Sequence, residues 1–358
     1  MKVCSVVGAR PQFVKLSPID AELRRRGHEH VIVHTGQHYD KEMSTDFFAD
    51  LGISTPNANL EIGSGSHGRQ TGRMLEAIEG VLLEQRPTWT VVYGDTNSTV
   101  AASLAASKLA MPVAHLEAGL RSFNREMPEE LNRVATDHLS DLLLAPTELA
   151  MSHLGREGLL DRSILVGDVM TDVLYRVRDT LVSADVDSPN PSQTHHSNFW
   201  LATIHRPSNT DDKDQLEAIL TALQSLPNEV VLAAHPRLRA AALNHGLRLQ
   251  RSNIRLVPPL TYRDLVKTVM NSKGVVTDSG GLQKEAFLLR RPCVTIRTET
   301  EWGETVDLGW NQLCPNPADL HSMIGLTPPD PTDATPYGDG NAAARTVDAL
   351  ERLATVHS

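Results

Sequence analysis

The sequence predicts an α/β protein built from two doubly wound parallel sheets. Short β-branched runs alternate with longer helical patterns along the chain, which is typical of parallel strands covered by helices on both faces. A length of 358 residues favours two domains over one. A polar stretch with two prolines, residues 183–198, interrupts the alternation and separates two series of strands.

The first series of strands lies in the amino-terminal half of the chain. The first strand leads into a helix that carries Leu16, Ile19 and Leu23 on one face. We predict a first Rossmann-like domain at residues 1–168. Its predicted strands are KVCSVVG, HVIVHTG, WTVVYGD, PVAHLE, LLLAP and ILVGD.

The second series predicts another Rossmann-like domain, at residues 169–340. A last helix, within residues 341–358, is expected to pack back on the first domain. Ligands of such sheets bind outside the carboxyl ends of the strands, so two such edges facing each other predict an interdomain cleft. The predicted strands of this series are FWLATIH, EVVLAAH, IRLVPP, GVVTDSGG and PCVTIR.

The composition excludes several classes of protein. The net charge is −10, from 44 acidic and 34 basic residues, which argues against nucleic-acid binding. The three cysteines are widely spaced and form no CxxC pair, so neither a zinc site nor a disulfide framework is indicated. We find no apolar run long enough for a signal peptide or a membrane span, and we expect a cytoplasmic protein without a membrane partner.

Polar residues cluster where the predicted strands end. One such residue alone is weak evidence for a site, but both series repeat the feature. We expect these side chains to meet at the predicted cleft. They are Arg10 and Lys15 after the first strand, Asp95 and Glu117 later in the first series, and His205, His235 and Ser279 in the second.

The motif TDSGGLQKEA is the clearest indication of an anion site. Gly280 and Gly281 lack side chains, so backbone N–H groups at a helix N-terminus can approach phosphate oxygens. Glu285, one turn into the helix, is a candidate acceptor for ribose hydroxyls. The structural alternative is a tight turn with Ser279 as the N-cap residue.

Three carboxylates of the first half, Asp95, Glu117 and Glu129, are candidates for acid–base chemistry. Neighbouring carboxylates raise one another's pKa, so that one is protonated while another is ionised. Structural roles are conceivable for two of them. Asp95 could cap the following helix, and Glu129, like Glu130, could interact with the helix dipole after Pro128. Glu117 has no such structural role, because no helix begins there.

The sequence carries no convincing cofactor or metal motif. GSGSHG, residues 63–68, fits GxGxxG but follows no apolar strand, and it predicts a loop before a helix. Neither a P-loop nor an HExxH motif occurs. We therefore predict no cofactor and no metal.

Eight motifs occur in order along the chain: GARPQFVK, HTGQHYD, GDTNST, HLEAGLRS, MPEELNR, TIHRPSN, TDSGGLQKEA and PYGDG. Together these motifs resemble the UDP-N-acetylglucosamine 2-epimerase family over nearly the whole chain. The resemblance implies the GT-B fold, a UDP-sugar substrate, a homodimer, and interconversion of UDP-N-acetylglucosamine and UDP-N-acetylmannosamine without NAD or metal.

The resemblance also implies a mechanism, in which UDP is eliminated through 2-acetamidoglucal and then added back. Asp95, Glu117 and Glu129 match the family's catalytic carboxylates. The positions that bind or polarise the nucleotide are matched by Arg10, Lys15, Arg133, His205, His235, Ser279 and Glu285, and we assign His205 to the catalytic group.

Departures from the family pattern leave the substrate open. Ser208 stands where many members have glutamate, Trp302 where many have arginine, and Asp40 where members activated by a second substrate molecule have glutamine. HTGQHYD, LRSFN, QKEAF and TEW also resemble a subgroup acting on UDP-2,3-diacetamido-2,3-dideoxyglucuronate. A hydrolysing epimerase, a GT-B glycosyltransferase and a catalytically silent sugar-nucleotide sensor are competing hypotheses, of which the carboxylates disfavour the last two.

Overall fold

The computed structural model describes residues 1–36, 52–186, 198–324 and 331–354. The chain divides into two compact units. The first comprises Met1–Tyr175 together with Thr335–Ser358, and the second is Arg176–Ala334. The sequence predicts boundaries after residue 168 and before residue 341. The boundaries in the structure differ from these by seven and six residues, respectively.

The first unit contains a parallel sheet in the order β3-β2-β1-β4-β5-β6-β7. The chain winds outward from β1 in one direction and then, from β4, in the other. Its strands are β1 (Lys2–Val7), β2 (Glu29–His34), β3 (Ala58–Asn59), β4 (Trp89–Tyr93), β5 (Val113–Leu116), β6 (Leu142–Ala145) and β7 (Ser163–Leu165).

The second unit repeats this topology with the order β10-β9-β8-β11-β12-β13, again all parallel. This is the strand order of a Rossmann sheet. Its strands are β8 (Phe199–Thr203), β9 (Glu229–Ala233), β10 (Ile254–Val257), β11 (Gly274–Thr277), β12 (Cys293–Thr295) and β13 (Asn311–Leu313).

Helices connect the strands in both units. Those that begin in the first unit are Arg10–Arg25, His67–Gln85, Asn97–Lys108, Pro128–Leu139, Glu148–Arg156, Val169–Val186 and Ala342–Ala354, with a 3₁₀ turn at Leu160–Arg162. Those of the second unit are Pro207–Thr210, Lys213–Gln224, Pro236–His245, Tyr262–Asn271, Gly280–Leu288, Gly303–Asp307 and Leu320–Ile324, with a 3₁₀ turn at Pro317–Asp319.

The predicted α/β class and every predicted strand are confirmed. The sequence does not predict β3 and β13, which contain two and three residues and are too short to show a pattern. The predicted helix begins at His67, inside the GSGSHG segment, so only the first four residues of that segment lie outside the helix.

The last helix, Ala342–Ala354, packs against the helix Arg10–Arg25 of the same unit. Val347 and Leu350 are fully buried in a core shared with Leu16 and Trp89. The indole N–H of Trp89 donates to the Leu350 carbonyl over 3.0 Å. The carboxyl-terminal segment therefore completes one face of the first sheet. In the described part of the chain, we find no helix with the length and apolarity that a membrane span requires.

Gly274 in β11 tests the packing of the second sheet. A Cβ at this position would collide with the buried Trp200 ring and would lie 2.7 Å from the Pro292 carbonyl oxygen. We expect Gly274→Ala to lower the free energy of unfolding by about 1–3 kcal/mol through overpacking. Gly80→Ala is the control, because Gly80 lies within a helix with open space around it, and it should stabilise by about 0.5–1 kcal/mol. Urea unfolding compares the two, and equal effects would contradict the packing argument.

Candidate active site

The candidate residues of the first unit lie where the strand order of its sheet reverses. This switch point falls between β1 and β4, and ligands of doubly wound sheets bind outside the strand ends at such points. Asp95 follows β4, and Glu117 follows the adjacent β5. Lys15 lies on the helix after β1. Asp95 and Glu117 lie at strand ends, in agreement with the sequence pattern, whereas Lys15 lies in the second turn of its helix.

Glu117 forms a direct ion pair with Lys15. The Glu117 Oε2 atom contacts the Lys15 Nζ atom, and the two side chains are only 12% and 14% exposed. Burial alone would lower the pKa of Lys15, but Glu117 and then Asp95 outweigh it and raise that pKa. The lysine is therefore charged beside the carboxylate. The expectation that Glu117 lacks a structural partner is wrong, because Lys15, 102 positions away in sequence, pairs with it.

A second ion pair joins Asp95 to Arg133. The Arg133 Nη2 atom lies 2.5 Å from Asp95 Oδ2, and Asn132 Nδ2 donates to the Asp95 carbonyl over 2.9 Å. Burial would lower the pKa of Arg133, but Asp95 and Glu117 raise it. The cap of the following helix is Thr96, which accepts from the Thr99 N–H. The structural role of Asp95 as a helix cap is therefore wrong.

These four residues, Lys15, Asp95, Glu117 and Arg133, form what we call the carboxylate cluster. The sequence predicts carboxylates that face one another. In the structure, Asp95 and Glu117 each contact a cation instead. Each of the two carboxylates is therefore held in place by a cation.

Glu117 adopts an unusual backbone conformation. Its φ angle is +74°, in the left-handed region that a side chain makes unfavourable by about 1–3 kcal/mol. The N–H groups of Glu117 and Ala118 both donate to the Leu144 carbonyl, over 3.1 and 3.2 Å. Gly94 has a φ of +61°, and a Cβ there would lie 3.2 Å from Glu117 Oε2 and 3.3 Å from Lys15 Nζ. The positive φ favours glycine at position 94, and a Cβ there would also crowd the Lys15–Glu117 pair.

Two adjacent glutamates in the helix Pro128–Leu139 have opposite environments. Glu129 is exposed on the first turn, where helical spacing places it on the face of Asn132 and Arg133. Glu130 is buried and accepts the N–H groups of Ser122 (2.8 Å) and Phe123 (3.0 Å). Burial would raise the pKa of Glu130, but these hydrogen bonds hold it below its usual value. Glu130 is structural, whereas Glu129 is accessible for chemistry.

The second unit has a comparable cluster at its own switch point, between β8 and β11. Asp278 is fully buried after β11 and accepts the N–H groups of His205 (3.0 Å) and Arg206 (2.9 Å) and the Asn209 amide (3.1 Å). The His205 Nε2 atom lies 3.7 Å from an Asp278 oxygen. Asp278 therefore fixes the turn that presents His205, a role that the sequence did not reveal.

His205 and His235 lie side by side, with ring centroids 5.2 Å apart. Burial, and then the neighbouring His205, lower the pKa of His235. The His235 Nδ1 atom accepts the N–H of Arg237 over 3.2 Å, so the ring carries its proton on Nε2. His235 is a neutral hydrogen-bond donor.

Ser279 caps the helix Gly280–Leu288 by accepting the Leu282 N–H. A Cβ at Gly280 would lie 2.5 Å from the Glu301 carboxylate, whereas nothing lies within 4 Å of one at Gly281. Within the structure, the absence of a side chain at Gly280 makes room for Glu301. Glu285 is buried on the same helix. Phosphate and ribose contacts here stay predictions.

Two arginines lie near Glu301 in the second unit. Arg297 pairs with Glu301 over 2.8 Å, and an Arg206 nitrogen lies 3.8 Å from it. Burial, and then the neighbouring Arg297, lower the pKa of Arg206. Glu301 therefore lies beside two cations, and Arg206 also interacts with the carboxylates of Asp278 and Glu299. Arg206 directly follows His205 in the motif HRPSN, so this motif could have identified Arg206 as a candidate site residue.

The side chain of Arg10 and the whole of Asp40 lie outside the described residues. Ser208 lies on the short helix Pro207–Thr210, and Trp302 is buried with Lys284 Nζ 4.1 Å from its ring centre. Among the described residues, no group of three His, Cys, Asp or Glu side chains is arranged to hold a metal ion.

The family model described as UDP-N-acetylglucosamine 2-epimerase matches residues 21–351. The chain belongs to the UDP-N-acetylglucosamine 2-epimerase family. Similar relatives include a UDP-N-acetylglucosamine 2-epimerase homolog of Methanococcus maripaludis, 45% identical over 99% of this chain and 100% of that one. The UDP-2,3-diacetamido-2,3-dideoxy-D-glucuronate 2-epimerase of Pseudomonas aeruginosa is 43% identical, with the same coverage.

A solved structure of the epimerase family supports the fold. The UDP-GlcNAc 2-epimerase of Methanocaldococcus jannaschii, crystallised with UDP-GlcNAc and UDP, aligns with a TM-score of 0.84. It is 37% identical, over 98% of this chain and 100% of that one. The predicted GT-B fold, family and enzyme class are confirmed.

Glu130 and Glu129 provide a matched test of the two environments. We expect Glu130→Gln to lower the free energy of unfolding by about 1–3 kcal/mol at neutral pH, because its amide group would face backbone N–H donors. Glu129→Gln should change it by less than about 0.5 kcal/mol, since that side chain is exposed.

The same pair predicts a pH dependence. Folding lowers the pKa of Glu130, so its stabilisation is present above the unfolded pKa and is lost as the pH falls through the folded value. The stability deficit of Glu130→Gln should therefore shrink at acid pH in urea unfolding. A deficit that stays constant with pH would contradict the role given to Glu130.

Proposed function

We propose that the protein is a non-hydrolysing 2-epimerase that interconverts UDP-N-acetylglucosamine and UDP-N-acetylmannosamine. The observation that carries the proposal is the carboxylate cluster, in which Asp95 and Glu117 are held beside Arg133 and Lys15 at a Rossmann switch point. A pure binding module needs no such set of proton-transfer groups. Family membership supplies the substrate class.

The proposed reaction is elimination followed by re-addition. A carboxylate removes the C2 proton, the C2 electron pair forms a C1–C2 double bond, and the C1–O bond breaks with its electrons leaving on UDP. A proton then returns to the opposite face of C2, and the UDP oxygen attacks C1 again. Two faces of one carbon require proton-transfer groups on both sides. Asp95, Glu117 and Glu129 are the groups that we assign to this task.

We assign the UDP moiety to residues of the second unit. His235 is a neutral donor, His205 sits on the turn fixed by Asp278, and Ser279 begins a helix whose N-terminus favours an anion. Arg206 adds a cation beside them. These groups would stabilise the charge on UDP as it leaves C1, which is where electrostatic stabilisation accelerates an elimination most. Arg10 and Glu285 complete the proposed set.

A second candidate substrate is UDP-2,3-diacetamido-2,3-dideoxyglucuronate. A relative 43% identical to this chain carries that name, so identity does not separate the two substrates. The variants HTGQHYD, LRSFN, QKEAF and TEW, the last of which contains Trp302, are the features that we associate with this second substrate. The homodimer, the cytoplasmic location and the absence of a cofactor are further predictions, which rest on the family resemblance and the composition.

Product analysis in D₂O tests the reaction. Incubation with UDP-N-acetylglucosamine and no added cofactor should give UDP-N-acetylmannosamine with deuterium at C2, because the abstracted proton exchanges with solvent. Proton NMR measures this, and a parallel incubation with UDP-2,3-diacetamido-2,3-dideoxyglucuronate ranks the substrates by kcat/KM. Protium alone at C2, or dependence on NAD, would refute the mechanism. Deuterated free N-acetylmannosamine would indicate a hydrolysing enzyme.

Glu117→Gln tests the proton-transfer role within the carboxylate cluster. We expect it to lower kcat by at least about 10²-fold, because an amide is not a base at neutral pH. UDP affinity in calorimetry should stay within about tenfold, or 1.4 kcal/mol. Glu126→Gln, an exposed change in the loop before Pro128, is the control and should behave like the parent. Activity above about a tenth of the parent value would exclude Glu117 as the base or acid.

A further inference from the structure

Asp137 is a fully buried carboxylate that reaches three groups in the first unit. Its Oδ1 atom lies 2.6 Å from His115 Nδ1. Its Oδ2 atom accepts the Gly119 N–H over 3.1 Å and lies 2.7 Å from Arg121 Nη1. Burial would raise the pKa of Asp137, but His115 and Arg121 outweigh burial and lower it. Asp137 is therefore an ionised acceptor, and none of the mechanistic roles assigned above involves it.

His115 extends the reach of Asp137 to the turn after β4. The His115 Nε2 atom lies 2.8 Å from the Gly94 carbonyl oxygen. A carbonyl can only accept, so Nε2 carries a proton in this contact. The Nδ1 atom faces Asp137, so the ring links Asp137 to Gly94 through its two nitrogens.

The two glycines that Asp137 and His115 contact, Gly119 and Gly94, lie next to proposed catalytic residues. Gly94 directly precedes Asp95, and Gly119 follows Glu117 by two residues. Asp137 itself lies on the helix Pro128–Leu139, four residues after Arg133 and eight after Glu129, so the three share one face. The two turns and the helix that carry the acid–base groups are all connected through Asp137.

The turn at Glu117 contains a backbone conformation that needs external support. The φ angles are +61° at Gly94, +74° at Glu117 and +81° at Gly119. A side chain at Gly119 would lie 2.5 Å from the Ala150 carbonyl oxygen, so this turn is packed tightly on its far side. A non-glycine residue in the left-handed region persists only when the surrounding contacts determine it. The Gly119 N–H bond to Asp137 is one of those contacts.

We propose that Asp137 is a positioning residue, which through His115 and Gly119 sets the separation between the Asp95–Arg133 and Glu117–Lys15 pairs. Its effect on turnover rests on the function proposed above, whereas its effect on the two turns does not. The path through Arg121 leads away from the cluster, to the partly exposed Glu157, whose carboxylate accepts from Arg121 Nε over 2.7 Å.

Three substitutions separate positioning from general stability. Asp137→Ala removes the contacts of Asp137 with His115 and with the Gly119 N–H. Asp137→Asn keeps them, because its amide oxygen can accept from Gly119 and Arg121 while its NH₂ group faces the His115 Nδ1 atom. Glu157→Gln weakens the outer end of the same network and leaves both turns connected, so it is the matched control.

We expect Asp137→Ala to lower kcat by about 10²-fold with KM changed less than about threefold, since a displacement near 1 Å of a catalytic group has that cost. Asp137→Asn should recover most of this loss. Glu157→Gln should keep the parent kcat even where its melting temperature falls. A folded Asp137→Ala with parental kcat, or Asp137→Asn as inactive as the alanine variant, would overturn the proposal.

A second variant keeps the proposal testable if Asp137→Ala does not fold. His115→Asn retains a group near Asp137 but cannot reach the Gly94 carbonyl, whereas His115→Gln places its amide near the former Nε2 atom. We expect a lower kcat for His115→Asn than for His115→Gln. A higher kcat for His115→Asn than for His115→Gln would contradict the role proposed for the contact between His115 and the Gly94 carbonyl.

A readout without substrate separates this proposal from the proposed function. In the parent protein, amide exchange at Gly119 should be slow, because its N–H donates to the buried Asp137. Exchange should accelerate in Asp137→Ala but not in Glu157→Gln. Unchanged exchange in Asp137→Ala would overturn the positioning role. An inactive parent protein with these exchange results would refute the epimerase function alone.

Discussion

Buried carboxylates that accept hydrogen bonds from the turns at strand ends hold the functional parts of this fold. A turn that follows a buried strand carries N–H groups that water cannot reach, and each needs an acceptor. Asp137 does this in the first unit and Asp278 in the second. Glu130 does the same for the loop at Ser122 and Phe123. Hydrogen bonds to charged acceptors are stronger than those to neutral acceptors, so these carboxylates hold the backbone of each turn in one conformation.

This constraint also concerns the candidate catalytic groups. Glu117 and Asp95 are partly removed from water, and they form direct ion pairs with Lys15 and Arg133, respectively. A cation–carboxylate pair has to be placed accurately to offset desolvation. The fixed turns provide that accuracy, and the Rossmann strand order brings them to one edge of the sheet.

The sequence predicted the strands, and with them the positions of Asp95, Glu117, His205 and Ser279 at strand ends. Local pattern was sufficient there, since alternating apolar runs and glycine-containing turns mark where parallel strands stop. It could not predict that Glu117 pairs with Lys15, because the two residues meet only through the β1–β4–β5 order of the sheet. The sequence also does not indicate that Glu130 is buried while the adjacent Glu129 is exposed. Glu130 is buried because it accepts the N–H groups of Ser122 and Phe123, which depends on how the preceding loop folds.

The contacts of the buried Asp137 were the least predictable part of the site. Asp137 stands in an ordinary helical sequence, and its contacts to His115 and Gly119 depend on the side of the helix that faces the sheet. The spacing of Glu129, Arg133 and Asp137 on one helical face was a usable signal. Glu301 beside Gly280 left no local trace, because it belongs to a later segment of the chain. Contacts between distant segments are what one sequence leaves undetermined.

The most direct test of the account is the fate of the C1–O bond. UDP-N-acetylglucosamine carrying oxygen-18 in the bridge between C1 and the β-phosphorus should be incubated with the enzyme and its phosphorus NMR spectrum followed. Elimination frees the β-phosphate to rotate before re-addition, so the label should move into the non-bridging β-oxygens of the recovered UDP-sugars. Epimerised product that keeps the label wholly in the bridge would mean that UDP never leaves, and would contradict the account.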